Sequence, residues 1–298
     1  MKISILTGTY NRGNLLGNLY RSLIKNSDYG VEIEWLIMDD GSTDNTKEVV
    51  REFIEEGKID IKYNQQENQG KMVAINKLVE QATGELIVDC DSDDYFTDDA
   101  LKIIKEEFQK TNQEERKEEI YAKCFLKQKE NGDIDGTTFN NKITTMFDLY
   151  FREGATGEKL LVYYSDIRKQ FKHEIENNEK FITEARMYHK IDEKYKIQCI
   201  NKVLQIGEYK ADGYTNNNKK IFLNNPYGYF QYFKEILSKN MKGVIFKKRL
   251  YAIKHYILFS VLTNKKIQIK DVKGMLNKIL ILCLYIPGKI KSNNYKRS

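Results

Sequence analysis

Through the first 110 residues, short apolar runs alternate with longer stretches whose apolar positions recur every three or four residues. Residues 3–7, 33–38 and 85–88 are predominantly apolar, and residues 59–63 alternate apolar with polar side chains; all four read as strands. Between them, Leu15, Leu16, Leu19, Leu23 and Ile24 share one helical face. Val49, Val50, Phe53 and Ile54 do the same, and then Val73, Ala74, Leu78 and Val79. Gly57 and Gly84 close the second and third of these helices. Alternation of this kind predicts an α/β fold, a mostly parallel sheet flanked by helices. Ligands of such sheets gather beyond the carboxyl ends of the strands. Tyr10, Asp40, Gly70 and residues 91–94 all fall just past predicted strand ends. After residue 119 the pattern changes. Residues 120–127 read as a strand, Asn131-Gly132 as a hairpin turn, and 198–206 as another strand. Residues 174–184 form an acidic loop entering a helix, and the chain from Asn224-Asn225-Pro226 onward reads as helical.

The strand at 85–88 runs into Asp89-Cys90-Asp91-Ser92-Asp93-Asp94. Four carboxylates within six residues repel one another unless positive charge lies between them, and no lysine or arginine is adjacent in sequence. A hard divalent cation, Mn2+ or Mg2+, suits such oxygen donors and keeps part of its shell for a phosphorylated substrate. The plainer alternative is a solvated acidic loop capping the next helix. Four scattered cysteines without a CxxC pair argue against a disulfide framework or a zinc site, and fit a reducing cytoplasm. The three histidines fit no metal spacing. The N-terminus runs straight into a strand and lacks the apolar region of a signal peptide.

Four motifs in register resemble the N-terminal domain of a family-2 glycosyltransferase with the GT-A fold. They are Thr9-Tyr10-Asn11, the run Met38-Asp39-Asp40-Gly41-Ser42-Thr43-Asp44, Glu67-Asn68-Gln69-Gly70-Lys71 with Ala74-Ile75-Asn76, and Gly84-Glu85 ahead of Asp91-Ser92-Asp93-Asp94. A weaker likeness runs on through residues 179–184 and 209–213. The resemblance implies a catalytic domain over residues 1–216, with its donor-binding half in 1–110 and its acceptor side in 111–216. It implies inverting transfer of a sugar from a nucleotide-diphosphate donor to an acceptor hydroxyl, in bacterial surface-polysaccharide or glycolipid synthesis. Saccharide or lipid-linked acceptors are expected from the family's habit together with the basic C-terminal segment. Thr9, Tyr10, Asn11, Asp40, Gly70, Lys71 and Asp91 would bind the nucleotide sugar, with Tyr10 stacking near the base and Asp40 accepting a hydrogen bond from it. Asp91 and Asp93 match the DxD pair, with Asp94 as a further metal contact. The family's base is usually an acidic pair opening a helix. The nearest match is Thr183-Glu184-Ala185, making Glu184 the candidate base and Glu179 its reserve. Gly8 stands where many relatives have proline. Two alternatives are a sugar-phosphate nucleotidyltransferase, whose Gly-rich loop residues 8–13 match poorly, and a non-catalytic sugar-binding protein on the same fold.

Charge changes the picture at the far end. The net charge is +6, yet residues 239–298 hold fifteen lysines and arginines against one acid, Asp271. Residues 217–298 thus read as a basic helical segment on an acidic body. Phe246, Leu250, Ile253, Ile257 and Val261 share a helical face, which suggests docking on an anionic membrane surface. A helical subdomain packed on the core is the alternative. The apolar run at 279–286 is too short to span a bilayer. No nucleic-acid motif accompanies the charge. The expected location is the cytoplasm, peripheral at the inner face of the plasma membrane.

Overall fold

The computed structural model describes residues 1–110, 119–207 and 218–297, without the side chains of residues 218 and 293–297. The likeness at 209–213 lies outside these residues. In chain order the elements are β1 (Lys2–Thr9), α1 (Leu16–Ser27), β2 (Glu32–Asp39), α2 (Thr46–Glu56), β3 (Asp60–Gln65) and α3 (Lys71–Gln81). Next come β4 (Leu86–Asp89), β5 (Asp94–Phe96), α4 (Ala100–Lys110), β6 (Ile120–Lys129), β7 (Ile143–Thr144) and α5 (Met146–Phe151). They continue as β8 (Lys159–Tyr164), α6 (Ser165–Arg168), α7 (Ala185–Ile191) and β9 (Lys196–Gly207). The chain ends with α8 (Asn218–Asn224), α9 (Pro226–Ser238), α10 (Phe246–Thr263), a 3-10 turn (Ile269–Asp271) and α11 (Met275–Arg297). The described residues form two compact units. The first holds 1–110, 119–146, 155–173 and 187–207, and the second 147–154, 174–186 and 218–297.

In the first unit one sheet runs β3-β2-β1-β4-β8-β6-β9-β5, with β7 paired to β9. β3, β2, β1 and β4 are parallel, as their alternation with helices requires. β8 then runs antiparallel to both β4 and β6, so the second half mixes directions. β1 and β2 are buried on both faces, which is why they read as largely apolar runs rather than as strict alternation. One face packs Ile3, Ile5, Trp35, Ile37 and Val88 against Leu16, Leu19 and Leu23 of α1. α3 covers the other face of β1 and β2. Lys129 and Asp133 close the hairpin predicted at Asn131-Gly132, where Gly132 takes φ 86°.

Glu34, fully buried on the α3 face, organises the entry to β4. It accepts hydrogen bonds from the Ser4 hydroxyl, the Thr83 amide (2.5 Å) and hydroxyl (2.8 Å), and the Gly84 amide (3.1 Å). A Cβ on Gly84 would stand 2.7 Å from both the Ser4 nitrogen and the Ser4 hydroxyl oxygen, so only glycine lets the turn close on β1. This contact sets the register of β4 and hence the height of the acidic turn above it.

The second unit is helical, with a core drawn from α9, α10 and α11: Phe233, Ile236, Ile253, Tyr256, Ile257 and Ile281 among others. The expectation that Ile253 and Ile257 enter a membrane is overturned here. Both are at most 1% exposed, because the apolar face of α10 packs against α9 and α11. Periodicity marks a face to be buried but does not say against what.

Candidate functional site

The residues gathered at the carboxyl ends of β1, β2 and β4 belong to the first unit. Beyond β1, Asn11 adopts φ 51° and ties two loops together: its amide donates to the Ser42 hydroxyl (2.8 Å) and its side-chain oxygen accepts from the Thr43 amide (2.7 Å). Asparagine tolerates this left-handed backbone better than most residues. Tyr10 stands 47% exposed at the mouth, a flat aromatic face open to a ligand. The Thr9 hydroxyl, by contrast, is buried without a hydrogen-bond partner among the described residues, and the same holds for the side-chain oxygen of Gln66.

Asp40 follows β2 and is almost fully buried. One oxygen accepts from the Gln69 amide (2.8 Å) and the Gln66 side chain (2.7 Å), the other from the Gly70 amide (2.8 Å). Its carboxylate therefore folds the 66–70 loop in this structure. Gly70 takes φ 96°, a conformation open to glycine, and launches α3. Asp39 is matched in the same way, by the Ser42 amide (2.7 Å) and the Tyr63 hydroxyl (2.6 Å).

The acidic turn after β4 is neutralised carboxylate by carboxylate. Asp89 faces the buried guanidinium of Arg168 at 3.7 Å. Asp91 pairs with Lys71, the first residue of α3, at 2.6 Å. Asp93 pairs with Arg12, from the loop after β1, at 2.7 Å. Asp94 pairs with Lys127 of β6 at 2.7 Å, and Lys127 also reaches Glu158 at 2.7 Å. The four cations come from four places in the chain, which explains why no neighbour in sequence announced them. Arg12, Lys127 and Arg168 are site residues that sequence reasoning missed. For Lys127 a faint signal exists, a lysine directly after the apolar run Cys124-Phe125-Leu126 in a strand buried over residues 120–127.

The acidic residues differ in access. The side chain of Asp91 is 44% exposed, that of Asp93 16% and that of Asp94 10%. Burial pushes the Asp94 carboxyl up to about 7, against the pull of the Lys127 ammonium. The expected metal contact at Asp94 is thus occupied by a buried ion pair. Asp91 and Asp93 keep hard oxygen donors near solvent. Among the described residues no three His, Cys, Asp or Glu side chains stand together as a metal cluster.

Glu179 and Glu184 belong to the second unit. Both oxygens of Glu179 accept amides at the start of α9, from Tyr227 (2.6 Å) and Gly228 (2.7 Å). That is a capping contact favoured by the helix dipole. Burial nevertheless raises its carboxyl above the usual range. Glu184 is half-buried in the turn that opens α7. Two residues later the buried Arg186 pairs with Glu174 (3.3 Å), Glu176 (3.1 Å) and Glu235 (2.8 Å), fastening the 174–186 segment to α9.

Residues 4–114 match the family model of Glycosyl transferase family 2. An uncharacterized glycosyltransferase of Mycoplasma genitalium is 34% identical over 133 residues, 43% of this chain and 43% of that protein. The poly(ribitol-phosphate) beta-N-acetylglucosaminyltransferase TarS of Staphylococcus aureus is 35% identical over 104 residues, 34% of this chain and 18% of its own length. The chain therefore matches less than half the length of these relatives. In structure, TarS 1–349 in complex with UDP-GlcNAc superposes with a TM-score of 0.62 at 18% identity, covering 100% of this chain and 91% of that one. The mannosyltransferase PcManGT of Pyrobaculum calidifontis, in complex with GDP-Man and Mn2+, gives 0.54 at 14% identity, covering 99% and 84%. Residues 4–114 thus resemble glycosyl transferase family 2, and the fold is that of the GT-A glycosyltransferases.

Proposed function

We propose that the protein moves a sugar from a nucleoside-diphosphate donor to an acceptor hydroxyl, with inversion at the anomeric carbon. The observation that carries this reading is the acidic turn at 91–94, held at the carboxyl ends of parallel strands and matched by cations from the β1 loop and the start of α3. A diphosphate arriving there meets Arg12 and Lys71, which can turn from the carboxylates to its oxygens. The nucleobase fits beside Tyr10, where the buried oxygens of Thr9 and Gln66 await polar partners. Asp40, Gly70 and Asn11 shape the loops that frame this space.

A divalent cation, Mn2+ or Mg2+, suits Asp91 and Asp93, whose oxygens are hard donors with access to solvent. Bound there, it would offset the charge of the departing diphosphate. Asp94 has the different task of holding the turn against β6. For the acceptor side we assign Glu184 as general base, taking the hydroxyl proton as the oxygen attacks the anomeric carbon and the bond to the diphosphate breaks. Glu179 is a cap, since both its oxygens are already engaged. UDP-GlcNAc is the first donor to try, on the likeness to TarS, and saccharide and lipid-linked acceptors both belong in the assay. The test is a donor screen that detects nucleoside diphosphate released in the presence of Mn2+ and such acceptors. Release by no donor under any acceptor would sink the reading.

A further inference from the structure

α11 carries its apolar stripe on the wrong side for a core helix. Asn277, Ile281 and Ser292 are buried, and Gly288 packs so tightly on α10 that a Cβ there would stand 2.9 Å from Ile257. On the opposite face Met275 is 72% exposed, Ile279 49%, Leu282 66%, Ile286 71% and Ile290 60%. Their spacing of four, three, four and four residues aligns them along one side of the helix over about four turns. Scattered exposed apolar residues need no explanation, but an aligned row of five does.

We propose that this face of α11 lies flat on anionic lipid. No helix among the described residues is long and apolar enough to cross a membrane, so an in-plane seat is the geometry that remains for it. Charge selects lipid over a second copy of the chain. α11 holds no acidic residue, while Lys278, Lys289 and Lys291 stand along it. At its start opens a cleft of about 520 Å³ whose lining includes Lys242, Arg249 and Lys273 beside Met275 and Leu276. Two copies face to face would set these like charges against each other, whereas lipid phosphates complement them. The cleft puts the cations next to the apolar row, the pairing a headgroup and its acyl chains require. This assignment moves the membrane contact from α10, whose apolar face is spent on the core, to α11. It does not depend on the transferase reading.

The experiment is co-sedimentation of the full chain with vesicles of phosphatidylglycerol mixed with phosphatidylcholine, or of phosphatidylcholine alone. The chain should pellet with the first, bind the second at least about tenfold more weakly, and be released as salt rises to about 1 M, where screening is nearly complete. The double variant Leu282→Glu with Ile286→Glu should weaken binding by at least about tenfold with an unchanged thermal melt, since both side chains point to solvent. Should it fold poorly, Leu282→Ser with Ile286→Ser serves instead. Lys242→Ser with Lys273→Ser should flatten the salt dependence. Failure to pellet, equal pelleting of the stripe variants, or sedimentation equilibrium showing a dimer that the stripe variants dissociate would overturn the proposal.

Discussion

Glu34→Gln tests how the buried scaffold sets the height of the acidic turn. Burial alone would raise this carboxyl, but donors from Ser4 and Thr83, with the Lys62 ammonium, pull it from 4.5 down to about 2. At about 1.4 kcal/mol per pKa unit, the full linkage is worth roughly 3 kcal/mol. Lys62 is 46% exposed, so its share is screened and about 2 kcal/mol is the better expectation. Because the folded pKa lies below the unfolded one, this stability is present above pH 4.5 and is lost as pH falls toward 2. Glutamine keeps the shape but confronts the Thr83 and Gly84 amides with donors of its own. Trp35, the chain's one tryptophan, is buried in the same unit and reports its unfolding. Urea titration at pH 7 should place the variant's midpoint roughly 1 M below wild type. At pH 3 the gap should shrink to roughly two-fifths, because Glu34 is then largely protonated in the unfolded chain only. A gap that is absent at pH 7, or unchanged at pH 3, would refute the reasoning.

Three further outcomes follow from the site. Asp93→Asn should cut turnover by about two orders of magnitude, the loss expected when a carboxylate that would hold the charge-offsetting cation disappears, and chelation of divalent cations should do the same; undiminished steady-state rates in either case would remove Asp93 from the metal role. Glu184→Gln should nearly abolish transfer while calorimetry finds nucleotide affinity within about threefold of wild type, whereas Glu179→Gln should lower thermal stability by about 1 kcal/mol and spare kcat; the reverse pattern would exchange the two assignments. Lys127→Met should cost about 3 kcal/mol at pH 8 by leaving Asp94 buried without its ion pair, and less at pH 5. The sign follows from a folded pKa raised to about 7, which makes the carboxylate most unfavourable above that pH. Denaturation at the two pH values decides it, since an equal deficit at both would contradict the assignment.

What the sequence made legible was local. β1, β2 and α1 follow from apolar spacing within a dozen residues, and Gly57 caps α2 in the left-handed conformation its position suggested. Gly84 belonged to a motif, but its reason, the approach to Ser4, lies eighty residues away. The partners of the acidic turn were illegible for the same cause. Arg12 meets Asp93 across 81 positions and Lys127 meets Asp94 across 33. α10 shows a second limit: Ile253 and Ile257 have the spacing of a membrane-facing stripe and of a core stripe alike. Only the burial of one row and exposure of another, on α10 and α11, separates the two.

The pairing of the turn has a consequence for how the site works. An acidic cluster waiting for a metal would be expected to repel itself and shift toward protonation, which would make donor binding depend on pH near neutrality. Here Arg12 and Lys71 already balance the charge of Asp93 and Asp91. Under the proposed reading, binding a divalent ion with a diphosphate would be an exchange, in which Arg12 and Lys71 would turn from the carboxylates to phosphate oxygens and leave Asp93 and Asp91 to hold the cation. Such an exchange moves charge without changing its sum, and the low cost of moving it depends on Arg12 and Lys71 being the more accessible cations of the four. Arg168 and Lys127 are more deeply buried and have no such freedom, so on this reading they would keep Asp89 and Asp94 fixed while the upper pair trades partners.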